Sequence, residues 1–114
     1  MSKQNSFYRR QTRGVLLYNL YLAWDNGLND PAQPKTMNGQ ALEMALRYRA
    51  TLPPKEDLIR ALQWLADCGY VEVDWEMDDQ TSYDSVTITQ KGIRLCEDKK
   101  AAQTEADVLL PPRR

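Results

Sequence analysis

The chain has 114 residues, of which 42% are apolar and 27% are charged, and its formal net charge is −1. This composition is that of one small globular domain with a single core. No apolar run reaches the length of a membrane span, and the N-terminal MSKQNSFYRRQTR lacks the apolar segment of a signal peptide. We therefore expect a cytoplasmic protein that does not enter a membrane.

Catalytic and metal-binding residue types are scarce. Without histidine, the chain lacks the one side chain that normally titrates near neutral pH. It also lacks a glycine-rich phosphate loop and a Gly-x-Ser-x-Gly motif. Cys68 and Cys96 can form one disulfide or remain reduced in the core, but without a Cys-x-x-Cys pair they indicate no zinc site. We expect neither enzymatic activity nor a bound metal or cofactor.

Two helices are predicted in the first half of the chain. The first runs from about Ser6 to Trp24, because apolar residues recur there at helical spacing, and Asn26-Gly27 ends it. A loop follows. The second helix takes Asn38 as its N-cap and ends near Arg49.

The clearest helix is the third. Pro54 suits its first position, and Leu58, Leu62 and Leu65 form its apolar face. Gly69 stands where a glycine with left-handed geometry would end the helix, with Tyr70 packing back on Leu65.

From Tyr70 onward the apolar period changes from 3.6 to 2, which predicts a two-stranded hairpin. Val71, Val73, Trp75 and Met77 are predicted to face inward on the first strand, and Val86 and Ile88 on the second. Thr89 then caps a last helix that buries Ile93. The polar segment after Asp98 is predicted to be a mobile tail, or a short element that docks on something.

The segments LIRALQWLADCGYVEV and VTITQKGIRL resemble the recognition helix, wing and final-helix entry of small bacterial and phage winged helix-turn-helix proteins. The resemblance implies an α+β domain over residues 1–98, with a three-helix core, a two-stranded wing and a C-terminal helix, followed by the tail at 99–114. It also implies a transcriptional regulator that reads double-stranded DNA with the third helix. A minority of such proteins bind proteins instead.

Charge is distributed unevenly along the chain. Residues 1–13 carry four basic side chains and no acidic one, whereas residues 70–84 carry six acidic side chains and no basic one. We call the five acids on the first predicted strand and its turn the acidic hairpin: Glu72, Asp74, Glu76, Asp78 and Asp79. Phosphate is attracted by the first region and repelled by the second.

DNA binding is the first functional prediction. Arg60 can pair with a guanine and Gln63 with an adenine in a major groove. Phosphate contacts are predicted for the remaining basic side chains: Arg9, Arg10, Arg13, Arg47, Arg49 and Lys55. Because one small module supplies little affinity, a homodimer on two half-sites is expected, with the first helix or the tail as the dimer element. The exposed positions are equally compatible with an ordinary solvated helix.

The alternative prediction is a protein-interaction module. Trp64 lies roughly opposite the apolar stripe of the third helix, and an exposed tryptophan is typical of an interface anchor. Together with the acidic hairpin, it would bind or inhibit a basic partner such as a nucleic-acid-binding protein. Two simpler explanations stay open: another segment covers Trp64, and the acids only keep an edge strand soluble and unpaired.

Overall fold

The computed structural model describes residues 3–112, with side chains described from residue 6 onward. Over this range the chain is an α+β structure with five helices and three antiparallel strands. In chain order these are α1 (Lys3–Asp25), β1 (Thr36–Asn38), α2 (Gly39–Tyr48), α3 (Lys55–Asp67), β2 (Val71–Trp75), β3 (Tyr83–Ile88), α4 (Gln90–Glu97) and α5 (Lys99–Thr104). The arrangement is compatible with the predicted winged helix. Within the described range, no helix is both long and apolar enough to cross a lipid bilayer.

The core lies between the helices and one face of the sheet. Its largest fully or almost fully buried side chains come from α1 to α4 and from β2 and β3: Leu16, Leu17, Leu20, Leu42, Leu46, Leu58, Leu62, Leu65, Val71, Val86, Ile88 and Ile93. Half of this set comes from α1 and α3, because helical spacing brings their leucines onto one face of each helix. Cys96 is buried and Cys68 is half-buried, and the two are not joined by a disulfide.

Several predicted helix boundaries are confirmed by their capping contacts. Asn38 Oδ1 accepts a hydrogen bond from Gln40 N at 2.8 Å and begins α2. Gly69 has a φ of 82°, and Tyr70 N donates to Leu65 O at 2.9 Å, which ends α3 as expected. Pro54, by contrast, is the N-cap of α3 rather than its first residue, so the helix begins one residue later than predicted.

The Thr-x-Lys segment at the start of α4 also contacts the end of α3. Thr89 Oγ1 accepts a hydrogen bond from Gly92 N at 3.1 Å and so caps α4, as predicted. Thr89 Oγ1 also lies 3.0 Å from Tyr70 O, to which it donates. Lys91 Nζ donates to Cys68 O at 2.7 Å, placing a cation at the C-terminal end of α3, where the helix dipole favours it. This short motif therefore links the start of α4 to the end of α3.

The sheet has a strand that the sequence did not predict. Its order is β1-β3-β2, with Met37 of β1 opposite Val86 of β3. The predicted two-stranded hairpin is present as β2 and β3, and β1 adds a third strand to it. Three residues are too few to display an alternating pattern, and their partner lies about 50 positions away, so only the folded chain identifies the strand.

The end of β2 also differs from the prediction. The pairing register shifts between Asp74 and Trp75, and the strand ends at Trp75. Met77, which was expected to face inward, therefore lies in the turn and is exposed. An irregularity of this kind moves every later side chain away from the strict alternation on which the prediction rested.

The C-terminal segment packs against α1 as far as it is described. Residues 99–104 form α5, Val108 is buried in the core, and Leu109 N donates to Arg10 O of α1 at 3.0 Å. Gly14 permits this contact, because a Cβ atom at that position would stand 1.8 Å from Leu109 O. Arg113 and Arg114 of the predicted tail lie outside the described residues, as do Met1 and Ser2.

Candidate nucleic-acid interface

A groove of about 690 Å³ runs between the N-terminal half of α1 and the exposed side of α3. Four of the predicted DNA contacts line it: Arg9, Arg13, Arg60 and Gln63. Tyr8 Oη donates to Asp57 Oδ2 at 3.0 Å and ties the two helices together at one end of the groove. Burial, followed by the hydrogen bond and negative charge of Asp57, raises the pKa of Tyr8. The groove is thus a preformed surface with three guanidinium groups in its walls.

Arg13 is the most constrained of these guanidinium groups. Its guanidinium carbon lies 4.1 Å from the centre of the Trp64 ring, within the range of a cation–π interaction. Nη1 also donates to Asp107 O at 3.1 Å. Burial lowers the pKa of Arg13, the charges of Asp107 and Glu105 oppose this, and the neighbouring positive charge of Arg9 lowers it further. Arg13 therefore joins α1 to α3 and to the C-terminal segment, and it also places a positive charge in the groove.

Arg10 faces the C-terminal segment instead of the groove. Its Nη1 donates to Ala106 O at 3.4 Å, and its guanidinium carbon lies 6.0 Å from the Phe7 ring centre. Arg10 and Arg13 thus both donate to backbone carbonyls of residues 106 and 107. Two of the side chains that were predicted to contact phosphate therefore donate hydrogen bonds to the chain's own C-terminal segment.

Trp64 is half-buried and covered. Arg13 lies over its ring, and the ring of Tyr70 stacks near it with centroids 6.4 Å apart. Tyr70 Oη in turn donates a hydrogen bond to Glu105 Oε2, and burial is the main cause that raises the pKa of the Tyr70 phenol. Helix α1 thus covers Trp64 through Arg13, which is one of the explanations that the sequence left open.

The solvent-facing side of α3 carries both signs of charge. Helical spacing and burial place Glu56, Arg60, Gln63 and Asp67 on the side opposite the buried leucines. Lys55 instead points towards the sheet, with Nζ 3.8 Å from Glu43 Oε2 and 5.4 Å from the centre of the Tyr83 ring. Arg60 and Gln63 therefore stay available for base contacts, whereas Lys55 is already paired.

The two remaining predicted phosphate contacts lie elsewhere. Arg47 is on the last turn of α2 and Arg49 is its C-cap, and both side chains are exposed. Arg49 borders a second groove, next to the C-terminal segment, and neither residue lines the groove between α1 and α3. The structure thus divides the predicted basic set into a groove group, a pair at the end of α2, Arg10 beside the C-terminal segment and Lys55 beside Glu43.

All five side chains of the acidic hairpin are exposed, and none forms an ion pair with a residue in the described part of the chain. The turn that carries three of them is nevertheless ordered by hydrogen bonds. Gln80 N donates to Met77 O at 3.0 Å, and Asp79 Oδ1 accepts from both the amide and the hydroxyl of Thr81. The hairpin therefore presents a fixed, uncompensated negative surface.

The sequence alone did not indicate the hydrogen bonds that join α1 to α3 and to the C-terminal segment. Tyr8 and Asp57 are 49 positions apart, and Arg13 and Asp107 are 94 positions apart. No local pattern indicates either pair, because both arise from packing of the helices. Within the described residues, no cluster of three or more His, Cys, Asp or Glu side chains is placed to hold a metal ion.

Comparison with known proteins adds no relative: no family model, curated sequence or solved structure matches this chain.

Proposed function

We propose that the chain is a winged helix-turn-helix domain that binds double-stranded DNA through the groove and exposed side of α3, as a transcriptional regulator of phage or bacterial type. The observation that carries this proposal is the convergence of Arg9, Arg13, Arg60 and Gln63 on one groove. These residues come from two segments of the sequence about 50 positions apart. Arg60 and Gln63 are suited to base edges, and Arg9 is suited to a neighbouring phosphate.

The electrostatics define how such a complex would be oriented. Phosphates would approach along the α1 side of α3, where Arg9, Arg13 and Arg60 lie. The acidic hairpin would have to point away from the duplex, because each carboxylate close to a phosphate costs about 1 kcal/mol in water before salt screening. The interface would therefore use the helices without the basic wing contact that many winged-helix domains add.

The test is fluorescence anisotropy of a mixed-sequence duplex at about 50 mM and about 200 mM salt, conditions between which phosphate-dependent binding weakens steeply. We expect Arg9→Ala and Arg60→Ala each to weaken binding and to reduce the salt slope by about one. Arg94→Ala is the matched control, because Arg94 is exposed on α4 outside the groove. Absence of binding at low salt, or equal effects of all three variants, would contradict the proposal.

A second candidate function rests on a separate observation. The acidic hairpin is exposed, ordered and free of ion pairs to described residues, as expected for a surface that meets a basic protein. We propose it as a protein-binding surface that can act beside or instead of DNA binding.

A further inference from the structure

The exposed face of α2 carries an apolar pair that the fold leaves uncovered. Met44 is 66% exposed and Tyr48 is 92% exposed, and the two stand one helical turn apart on the same face. Arg47 and Arg49 flank the pair, are exposed, and form no ion pair with a described residue. We call this surface, defined by Met44, Tyr48, Arg47 and Arg49, the α2 patch. It is an apolar centre with a positive rim.

The turn of the acidic hairpin has the opposite character. Met77 is 58% exposed and stands between Glu76 and Asp78, with Asp79 next in the chain. Hydrogen bonds from Gln80 N to Met77 O and from Glu76 N to Ser82 O, both 3.0 Å, fix the shape of the turn. It is therefore an apolar centre with a negative rim, already held in one conformation. Little conformational entropy remains to be lost when such a turn binds.

The two surfaces match in the features that govern recognition. Exposed methionine and aromatic side chains favour burial against one another, and opposite rims add attraction and fix the register. The hairpin does not cover the α2 patch of its own molecule, since Met44 and Tyr48 are exposed. Tyr83 Oη, at the start of β3, donates to Glu43 Oε2 at 2.9 Å, and Glu43 lies about 100° around α2 from Met44.

We propose that a second copy of this chain seats its acidic turn, with Met77 at the centre, on the α2 patch. If each copy offers its turn to the other, the contact occurs twice and the assembly closes as a two-fold dimer. The inference shares with the second candidate function the use of the acidic hairpin and names its basic partner. It is independent of DNA binding, because neither surface belongs to the groove between α1 and α3.

The experiment is sedimentation velocity at about 10 μM and about 200 μM protein, a range that detects micromolar dimers. We expect the wild-type chain to dimerise, and Arg47→Glu or Asp78→Lys alone to weaken the dimer at least about tenfold, because each change introduces repulsion at both contacts. Arg94→Glu is the control, with the same change in charge on α4, and should leave the dimer intact. Circular dichroism of each variant verifies that it is folded.

Mixing the two single variants gives the decisive outcome. A copy with Arg47→Glu and a copy with Asp78→Lys restore opposite charges at both contacts, so we expect the mixture to recover the dimer that neither variant forms alone. A wild-type chain that stays monomeric at the higher concentration would overturn the inference. So would a dimer that both variants retain, or a mixture that shows no recovery. DNA anisotropy of the wild-type chain and of the groove variants Arg9→Ala and Arg60→Ala reports the groove separately, so failure of this inference is distinguishable from failure of DNA binding.

Discussion

Arg13 illustrates how one side chain can fulfil a prediction about position and still acquire a second role. The sequence places it in a basic N-terminal segment, and the structure places it in the wall of the groove. There it stacks on Trp64 and donates to Asp107 O, which are contacts that stabilise the fold. A cation–π contact contributes about 0.5–1 kcal/mol at an exposed site and about 2 kcal/mol or more when it is desolvated. Arg9, which is exposed and near Arg13, is thus the better measure of phosphate binding alone.

Tyr83 leads to a prediction about alkaline pH. Its buried phenol donates to Glu43, and burial, reinforced by the hydrogen bond and charge of Glu43, raises its pKa above the ordinary value of about 10. The protonated phenol therefore stabilises the folded state fully below pH about 10, and this contribution is lost as the pH rises beyond it. Tyr83→Phe should cost about 1 kcal/mol near neutral pH by removing the hydrogen bond. It should also lose less stability than the wild type between neutral and alkaline pH.

Urea unfolding at pH about 7.5 and about 10.5 measures both effects, since the two values lie on either side of the ordinary tyrosine pKa. Tyr48→Phe is the matched control, because Tyr48 is almost fully exposed and forms no hydrogen bond to a described residue. An equal alkaline loss of stability in the wild type and Tyr83→Phe would show that this phenol does not report on folding.

The contact between α1 and the C-terminal segment connects stability to the candidate interface. Alanine in place of glycine inside a helix normally stabilises it by up to about 1 kcal/mol. At Gly14 the sign should reverse, because the new methyl group would stand 1.8 Å from Leu109 O and the segment would have to move. We expect Gly14→Ala to lower the free energy of unfolding and to make residues 105–112 more sensitive to limited proteolysis.

Gln40→Ala is the control for this change, since Gln40 is an exposed, uncharged residue of α2 that does not line the groove beside the C-terminal segment. A Gly14→Ala protein as stable and as protease-resistant as Gln40→Ala would mean that the segment is not held where the structure has it. Release of the segment would also free Arg10 and Arg13 from Ala106 O and Asp107 O, so the same variant should bind DNA at least as well at low salt.

The charge distribution of the whole molecule sets the balance between DNA and protein as partners. Basic side chains gather at the α1–α3 groove and at the end of α2, whereas the acidic hairpin presents five exposed carboxylates. Asp74→Lys should strengthen binding to a duplex severalfold at low salt, because it replaces repulsion of phosphate by attraction. Asp25→Lys changes the net charge equally at the exposed end of α1 and serves as the control.

The measurement is duplex anisotropy for both lysine variants at about 50 mM salt, where charges within a Debye length of about 10–15 Å still interact. A larger gain for Asp74→Lys than for Asp25→Lys would indicate that the hairpin, although it points away from the duplex, lies within a Debye length of the bound phosphates. Equal gains would contradict this prediction, and protein binding would then be the remaining candidate role of the hairpin.

The sequence by itself determined the order of the main elements and the ends of several of them. Leucine spacing in α1 and α3, Asn38 and Thr89 as caps, Gly69 at the end of α3 and the alternation in β2 are local features, so they can be recognised within a few residues. Only the tertiary structure decided that β1 joins the sheet and that Met77 faces solvent. It alone also decided that Arg10 and Arg13 donate hydrogen bonds to the C-terminal segment. These outcomes depend on packing between distant segments, whose energies no local pattern contains.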